Sequence, residues 1–437
     1  MGIALMKIAF HTMGCKVNQF DTAVMEERTR QADHGIVPFN QAADVYVINT
    51  CSVTENSDQE SRRIVRQVKR RNPAAKVIVT GCYAQTHPEE LAKIPGIDLV
   101  LGNTEKQDLA GYLGGCDKAD GPVVSVGRAH VSGPLAQPLI RQISGHTRVF
   151  LKIQDGCDYE CSFCLIPRAR GPGRSLLPER VIEQVTLLVE EGCQEVVLTG
   201  VNLGTYGRDF NPKGSLSDLL RLLLDRTRIS RIRLSSIEPK TVTPELIEIM
   251  KSCRVCRHFH IPLQSGDDGI LKKMNRHYTR SYYRQLILSI AERFPNASIG
   301  TDVMVGFPGE GEAEYRNTYE LLNELPMSYF HVFPFSARPE TAAAMIRVEV
   351  PEPKKKRRAD ELRRLSVEKS RQFFEAHIGK ELQSLIERER DPETGLLKGI
   401  TDNYIKVLLS GPDAAMNRIF SVRITDVNAN RVVACLS

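Results

Sequence analysis

Over the first hundred or so residues, short runs of β-branched residues alternate with longer stretches of helical periodicity. The predicted strands are residues 7–13, 45–49, 76–80 and 98–101. The predicted helices are residues 20–31, 57–71 and 88–94. This alternation is typical of a parallel sheet covered by helices. We therefore predict an α/β fold with a flavodoxin-like N-terminal domain over residues 1–125.

Residues 126–146 contain several glycines and prolines and show no clear period, which predicts a linker. Beyond it, strand patterns alternate with helical ones over residues 147–370. The predicted strands are 149–154, 195–199, 231–236, 258–262, 298–305 and 329–333, and the predicted helices are 178–191, 216–226, 244–251, 280–294 and 312–323. Six βα units predict a partial (βα)6 barrel, in which functional residues lie at the C-terminal ends of the strands.

Residues 371–437 have a different pattern, with short β-like runs separated by turn-rich loops. The runs are 381–386, 404–409 and 420–428, and the basic residues Lys398, Lys406, Arg418 and Arg423 are scattered among them. A helix with seven basic residues at 354–364 precedes them. We predict a small antiparallel β-barrel whose basic surface suits a phosphate backbone, although such a charge run is often only a solvated face.

The composition is that of a globular protein with two or three domains. The chain has 437 residues, 59 basic against 53 acidic residues, and 41% hydrophobic residues. No segment has the apolar length of a membrane span, and the N-terminus resembles a strand more than a signal peptide, so we expect a cytoplasmic protein without membrane attachment. Eleven cysteines, an odd number, then favour metal ligation or catalysis over disulfides.

Cys157, Cys161 and Cys164 form a Cys-x3-Cys-x2-Cys triplet on one short segment. Three thiolates leave one iron of a [4Fe-4S] cluster without a protein ligand, and that iron is free to bind a small molecule, whereas four cysteines saturate a cluster for electron transfer. A structural zinc loop is the alternative, but zinc sites usually contain a second pair at finger-like spacing, which is absent here.

Three more cysteines follow predicted strands. Cys15, Cys51 and Cys82 come after the first, second and third strands of the N-terminal domain. The carboxyl edge of an open α/β sheet is where ligands bind, so these cysteines are expected to meet at one site without any local motif. The alternative is that each is a small buried hydrophobic residue.

The triplet resembles that of the radical S-adenosylmethionine (SAM) enzymes. With the preceding α/β domain, the chain resembles the methylthiotransferases of that superfamily. The resemblance implies two [4Fe-4S] clusters, an auxiliary one on Cys15, Cys51 and Cys82 and a SAM-binding one on the triplet. It also implies that Phe163 lies near the adenine of SAM, and that SAM is both cleaved to a radical and used as a methyl donor.

Several polar residues at strand ends are candidate SAM contacts. They are Gly200, Asn202, Glu238 and Gln264. Glycine admits close approach of a ligand, Glu238 has the acceptors for ribose hydroxyls, and Gln264 can bond an amide or carboxylate. Each of them is equally suited to a helix cap or loop bond. Beyond the triplet, three arginines can hold an anion, either the SAM carboxylate or an RNA phosphate: Arg168, Arg170 and Arg174.

The remaining cysteines are predicted to be structural. Cys253 and Cys256 form an isolated Cys-x2-Cys pair, and a metal needs more ligands than two. Cys116, Cys193 and Cys435 have no motif at all.

The tail resembles a TRAM domain, a small RNA-binding barrel. The segments 14–19 and 399–407 most resemble the methylthiotransferase branch that acts on N6-threonylcarbamoyladenosine at position 37 of tRNA. This implies methylthiolation at C2 of the adenine, with the anticodon stem-loop as partner and flavodoxin or ferredoxin as electron donor. Two sister branches remain alternatives, acting on N6-isopentenyladenosine or on an aspartate of a ribosomal protein. A non-catalytic iron-sulfur RNA-binding protein is the alternative of a different class.

Overall fold

The computed structural model describes residues 5–51, 55–113, 121–129, 133, 135–141, 147–428 and 431–437. By its packing the chain divides into two units. The first comprises residues 1–144, 152–160 and 164–177, and the second comprises residues 145–151, 161–163 and 178–437.

The first unit is built on a six-stranded sheet with parallel pairing. Its strands are β1 (Lys7–Thr12), β2 (Gly35–Ile36), β3 (Val45–Thr50), β4 (Lys76–Gly81), β5 (Leu99–Leu101) and β6 (Val123–Ser125), in the order β2-β1-β3-β4-β5-β6. Its helices are α1 (Lys16–Gln31), α2 (Glu55–Arg71), α3 (Cys82–Thr86), α4 (Pro88–Ala92) and α5 (Leu109–Leu113). The predicted parallel α/β domain is confirmed, and the short elements β2, β6, α3 and α5 are additions.

The central strand β3 shows why the sheet is covered on both faces. Its alternate residues Tyr46 and Ile48 belong to one apolar cluster with Val65 of α2. Val47, between them, belongs to a second cluster together with Met25 of α1. A strand that is buried on both sides reads as a continuous apolar run, as the segment 45–48 does.

The elements that follow build the barrel region. They are β7 (Val149–Lys152), β8 (Gln154–Asp155), α6 (Ile166–Arg170), β9 (Arg174–Ser175), α7 (Pro178–Glu190), β10 (Glu195–Thr199), α8 (Leu216–Arg226), β11 (Arg231–Leu234), α9 (Pro244–Ile249), β12 (His258–His260), α10 (Asp268–Lys273), α11 (Arg280–Arg293), β13 (Ser298–Val305), α12 (Glu312–Glu324), β14 (Tyr329–Pro334) and α13 (Glu352–Glu375). Short 3-10 helices occupy Glu105–Asp108, Leu203–Thr205, Pro239–Thr241, Ala342–Met345 and Asp413–Ala415.

Six strands of this region form two three-stranded sheets, β11-β10-β7 and β12-β13-β14. The amide of Ile237, beyond β11, donates to the carbonyl of His260 at the end of β12 over 2.9 Å, and this bond connects the two sheets. The predicted partial barrel is confirmed. Side-chain caps fix several helix starts, because the hydroxyls of Ser215, Thr243 and Thr279 each accept a backbone N–H of the first turn.

The tail forms a closed five-stranded barrel. Its strands are β15 (Glu381–Arg390), β16 (Leu397–Thr401), β17 (Lys406–Leu409), β18 (Ile419–Asn428) and β19 (Arg431–Leu436), in the order β15-β16-β17-β19-β18. The pairing is antiparallel except between β17 and β19, which are parallel. The predicted small barrel is confirmed with this one difference, and β16 and β19 are strands in addition to the runs named from the sequence.

Among the helices of the described residues, none combines the length with the apolar character that a bilayer crossing requires.

A buried ion cluster fastens the tail barrel to the amino edge of the central strands. Glu195, at the start of β10, is fully buried and binds Arg231 at 2.7 Å and Arg233 at 2.8 Å. The same arginines reach into the tail barrel, where Arg233 donates to the carbonyl of Thr401 over 2.9 Å and Arg231 donates to that of Ile400 over 3.2 Å. Each guanidinium thus binds Glu195 and also donates to a backbone carbonyl of the tail barrel.

The charge of Glu195 depends on these arginines. Burial acts to raise the pKa of this carboxyl, but Arg233 and Arg231 lower the pKa more, to about 2. The folded state therefore holds Glu195 ionised at neutral pH. Removing its charge leaves two buried guanidinium groups without an anion, a change that costs about 3–5 kcal/mol in comparable buried pairs.

We predict that Glu195→Gln lowers the free energy of unfolding at pH 7 by about 3 kcal/mol, because the amide cannot balance Arg231 and Arg233. Urea unfolding followed by circular dichroism measures this. Since the folded pKa of Glu195 is depressed, its contribution is complete above pH 5 or so and is lost as the pH falls toward 2. The wild-type protein and the variant should therefore converge in acid.

Glu190→Gln is the matched control, because Glu190 is exposed at the end of α7. It should change the free energy of unfolding by less than about 0.5 kcal/mol. Equal unfolding curves for wild type and Glu195→Gln at pH 7 would contradict the assignment of this cluster as a fastener of the tail.

Candidate functional site

The three N-terminal cysteines lie at the carboxyl edge of three adjacent strands, as their sequence positions predicted. Cys15 caps the start of α1 beyond β1, Cys51 directly follows β3, and Cys82 opens α3 directly after β4. The strand register pairs Thr12 with Asn49 and Thr50 with Gly81. Strand pairing therefore brings these three loops side by side. Cys51 and Cys82 are buried, whereas Cys15 is exposed.

Two glycines allow the cysteine loops to approach each other closely. Gly14 has φ +93°, and a Cβ there would lie 2.8 Å from Sγ of Cys51. Gly81 has φ +97°, and its Cβ would lie 2.3 Å from the carbonyl oxygen of Thr50. Any larger residue at either position would push the loops apart, so both glycines are required for the convergence of the cysteines.

Asn18 of α1 ties two of these loops together. Its Nδ2 donates to the carbonyls of Met13 at 2.9 Å and Thr50 at 2.8 Å, which immediately precede the Gly14-Cys15 turn and Cys51. Its Oδ1 accepts a hydrogen bond from Arg170 at 2.5 Å. The amide therefore uses its donors on the cysteine loops and its acceptor on a cation.

Arg170 belongs to a buried charge network within the first unit. Asp21 accepts hydrogen bonds from Arg170 at 2.9 Å, Lys106 at 2.7 Å and Lys152 at 2.5 Å. Asp155 accepts from Arg170 and Lys152, both at 2.9 Å. All five side chains are at least nine-tenths buried. Three cations facing two carboxylates leave the network one positive charge in excess.

The cysteine group acts on the pKa of Arg170. Burial acts to lower the pKa of Arg170, but Asp155 and the nearby thiols of Cys82 and Cys15, with Asp21, raise it well above the usual value. Burial lowers the pKa of Lys106 below its usual value. Asp155 and the cysteine group therefore both stabilise the charged form of Arg170.

This network corrects one expectation from the sequence. Arg170 was expected to hold the SAM carboxylate or an RNA phosphate, but its guanidinium is buried against Asp21, Asp155 and Asn18. Arg168 on the same helix is exposed. The partners of Arg170 lie as far as 152 residues away along the chain, so no local pattern signals them.

Cys157 and Cys164 belong to the first unit and are partly buried. The Sγ of Cys157 accepts the amide N–H of Tyr159 at 3.4 Å, and the Sγ of Cys164 accepts that of Ile166 at 3.5 Å. Amide donors of this kind favour a thiolate over a thiol. The backbone of Cys157 is also held, since its N–H donates to the carbonyl of Gly171 over 3.0 Å.

Arg174, predicted to contact SAM, lies on β9 opposite Asp155 and is partly buried. Its Nε is buried without a hydrogen-bond partner among the described residues. A buried donor in that state costs roughly 1–3 kcal/mol, so the position suits an anionic ligand.

Cys161 belongs to the second unit, where Arg276 is its charged neighbour. Nη1 of Arg276 donates to Sγ of Cys161 at 3.3 Å, and Nη2 of the same guanidinium binds the carboxylate of Glu238. Burial raises the pKa of the Cys161 thiol, and Arg276 opposes that shift. Arg276 therefore connects a predicted cluster ligand to a predicted SAM contact. No motif in the sequence pointed to this arginine.

The segment around Phe163 is anchored on the end of α10. Ser162 donates through its N–H to the carbonyl of Met274 at 3.1 Å and through its hydroxyl to that of Lys273 at 2.8 Å. The ring of Phe163 is partly buried and packs against an apolar cluster that includes Met274 and Phe307. The aromatic ring is thus fixed in place with one part accessible.

The other predicted SAM contacts lie at the carboxyl ends of the barrel strands. Gly200 and Asn202 follow β10, and Asn202 is buried. Gln264 follows β12 with φ +65°, and its backbone joins β13 by hydrogen bonds to Asp302 and Met304, both at 2.9 Å. A non-glycine residue in the left-handed region is sparsely populated and is found often at ligand sites.

The basic surface of the tail is smaller than the sequence indicated. Arg358 of α13 is buried and binds Glu310 at 2.6 Å. Five further basic residues of those named from the sequence pair with carboxylates: Lys355, Arg357, Arg363, Lys398 and Arg423. The other five named from the sequence are exposed and form no ion pair within the described part of the chain: Lys354, Lys356, Arg364, Lys406 and Arg418.

The cysteines predicted to be structural differ in exposure. Cys256 and Cys193 are buried, and the thiol of Cys193 donates to the carbonyl of Glu195 at 3.3 Å. Cys253 and Cys435 are exposed. Cys116 lies outside the described residues.

The residues present fit iron-sulfur clusters. A cluster that is ligated by three thiolates carries net negative charge. Arg170 supplies a cation near Cys15 and Cys82, and Arg276 supplies one at Cys161. The orphaned Nε of Arg174 in turn fits a carboxylate such as that of SAM.

Comparisons with known proteins agree with this chemistry. Residues 7–102 match the family described as Uncharacterized protein family UPF0004, and residues 151–322 match the Radical SAM superfamily. The threonylcarbamoyladenosine tRNA methylthiotransferase MtaB of Aquifex aeolicus is 43% identical over 93% of this chain and 97% of that protein. A tRNA-2-methylthio-N(6)-dimethylallyladenosine synthase of Clostridium botulinum is 30% identical over 98% of this chain and 96% of that protein.

Among solved structures, the radical SAM methyltransferase TsrM of Kitasatospora setae superposes with a TM-score of 0.57 at 15% identity, covering 77% of this chain and 76% of that chain. At this identity the likeness concerns the fold alone. Together with the relatives that match over nearly the whole length, these findings show that the chain belongs to the radical SAM methylthiotransferase family.

Proposed function

We propose that this protein is a tRNA methylthiotransferase that adds a methylthio group to C2 of N6-threonylcarbamoyladenosine at position 37. The observation that carries the proposal is the pair of three-cysteine motifs, with Arg170 acting on Cys15 and Cys82 of one and Arg276 bonded to Cys161 of the other. The identity of 43% to a relative named for threonylcarbamoyladenosine, against 30% to one named for dimethylallyladenosine, supports this substrate.

The reaction explains why such cofactors are needed. C2 of an adenine has no acidic proton, so a general base cannot activate this carbon by removing its hydrogen. Two [4Fe-4S] clusters and SAM, when bound, supply the one-electron chemistry and the methylthio group. The chain itself supplies ligands, charge balance and orientation.

At the auxiliary site, Cys15, Cys51 and Cys82 are the proposed ligands. Asn18 fixes the loops that carry Cys15 and Cys51, and Arg170 provides the positive charge that balances the thiolates. Because Asp21 and Asp155 hold this cation in position, the site needs little rearrangement when a cluster binds.

At the SAM-binding site, Cys157, Cys161 and Cys164 are the proposed ligands. Arg276 donates to Cys161 and holds Glu238 in place, so the predicted ribose contact and the cluster ligand share one positioning residue. Phe163, Gly200, Asn202, Gln264 and Arg174 are the further proposed SAM contacts.

The partner is the anticodon stem-loop of tRNA. Exposed cations on α13 and the tail barrel, among them Lys356, Lys406 and Arg418, are the proposed contacts for its phosphates. A low-potential protein such as flavodoxin or ferredoxin is the proposed electron donor, and the cytoplasm is the proposed place of action.

We predict that cells that lack this protein lose the 2-methylthio derivative of N6-threonylcarbamoyladenosine and retain the unmodified nucleoside. Mass spectrometry of nucleosides from bulk tRNA measures both. Expression of the wild-type chain should restore the product, whereas Cys51→Ala should not, because a cluster with one ligand fewer is not held.

Cys253→Ala is the control, since this exposed cysteine lies outside both groups. It should restore the product as well as wild type does. Loss of 2-methylthio-N6-isopentenyladenosine instead would transfer the assignment to the sister branch. If all methylthio nucleosides were unchanged, the tRNA assignment would be wrong.

We predict that Arg170→Gln lowers the iron content of anaerobically reconstituted protein from about eight toward about four per chain, since only the auxiliary cluster depends on this cation. Iron analysis with Mössbauer spectroscopy measures the loss. Arg168→Gln, a change at an exposed position of the same helix, should retain both clusters.

Arg170→Lys keeps the charge but loses the fork that binds Asp21 and Asp155, so an intermediate iron content is expected. Thermal unfolding of each variant separates cluster loss from global instability. Full iron content in a stably folded Arg170→Gln protein would refute the role of this arginine in charge balance.

A further inference from the structure

Three potential metal ligands, none of them a cysteine, converge on adjacent strands inside the second unit. His260 ends β12, Asp302 lies on β13 and His331 lies on β14. Oδ1 of Asp302 lies 3.0 Å from Nε2 of His260 and 3.1 Å from Nδ1 of His331. The three ligand atoms all lie within 4.8 Å of one another.

These spacings fit a shared ion. In a tetrahedral site with bonds of 2.0–2.1 Å, neighbouring ligand atoms are about 3.3 Å apart. The two measured contacts to Asp302 fall just below that value. Two imidazoles with one carboxylate form a ligand set that suits zinc or ferrous iron better than calcium or magnesium, which prefer oxygen alone.

The surroundings of His260 orient it as a ligand. Its Nδ1 lies 3.1 Å from the hydroxyl of Tyr329, which also lies 2.8 Å from Nε2 of His258. The ring therefore presents Nε2 toward Asp302. Metal-binding histidines characteristically make such a hydrogen bond with the nitrogen that faces away from the metal.

Exposure increases across the group. The side chain of His260 is 8% exposed, that of Asp302 24% and that of His331 57%. An ion can thus enter from the side of the exposed His331, and the buried His260 holds it from within. Three protein ligands also leave a tetrahedral ion one position for water or an anionic ligand.

All three residues lie on strands, which hold ligands more precisely than loops do.

We propose that His260, Asp302 and His331 bind one divalent transition-metal ion, zinc or ferrous iron, separately from the iron-sulfur clusters. The site needs no iron-sulfur chemistry to form, so it stands whether or not the proposed tRNA activity is correct.

The test uses the holoprotein with both clusters reconstituted, so that the cluster cysteines are occupied. Protein is dialysed anaerobically against buffered free zinc, and bound zinc is measured by mass spectrometry. Wild type should bind one zinc ion per chain. His331→Ala and Asp302→Asn should bind that ion at least about tenfold more weakly. Zinc-edge absorption spectra should show nitrogen and oxygen ligands at 2.0–2.2 Å.

Phe333→Ala is the matched control. Phe333 is two residues beyond His331 on β14, its ring contacts that of His331, and it has no metal-binding atom. It should bind zinc as wild type does. Equal zinc binding by wild type and both ligand variants, or a spectrum dominated by sulfur at about 2.3 Å, would overturn the proposal and leave a hydrogen-bonded His-Asp-His ion pair or zinc on stray thiols.

Discussion

The structure of the first unit depends on compensating the charge of one buried carboxylate, that of Asp21. An uncompensated buried charge costs several kcal/mol, so the fold must bring cations to it. Those cations are Lys106, Lys152 and Arg170, which come from distant parts of the chain. Asn18, one helical turn before Asp21, binds the loops of two cysteines. The packing that neutralises Asp21 therefore also places the thiols of Cys15 and Cys51.

The second unit separates its structural ion pairs from those of the proposed site. Glu195 and its arginines lie at the amino ends of the barrel strands, where they fasten the tail. Arg276 and Glu238 lie beyond the carboxyl ends, beside Cys161. In βα barrels residues of the carboxyl face serve chemistry and those of the amino face serve stability. Similar buried pairs thus have different consequences according to the edge they occupy.

Local patterns in the sequence predicted the elements well, because hydrophobic periodicity and capping residues are local signals. The strand at 298–305 and the helix at 216–226 have the predicted bounds. Cysteine positions after strands were enough to place three thiols at one edge. The direction of Arg170 and Arg358 was not predictable, since their carboxylate partners lie far along the chain or on another element. The parallel pairing of β17 with β19 likewise depends on closure of the tail barrel.

The burial of Arg358 reduces the basic surface that the tail presents. A count of charge along 354–364 suggests a continuous track, but Arg358 is buried and its neighbours Lys355 and Arg357 are paired with carboxylates. A cation that already has an anion gains little from a phosphate, because one charge must be released to bind the other. The net charge of +6 over the whole chain is also small. Within this run and the tail barrel, attraction for RNA must therefore come from the exposed cations without such partners, and their placement matters more than the number of basic residues.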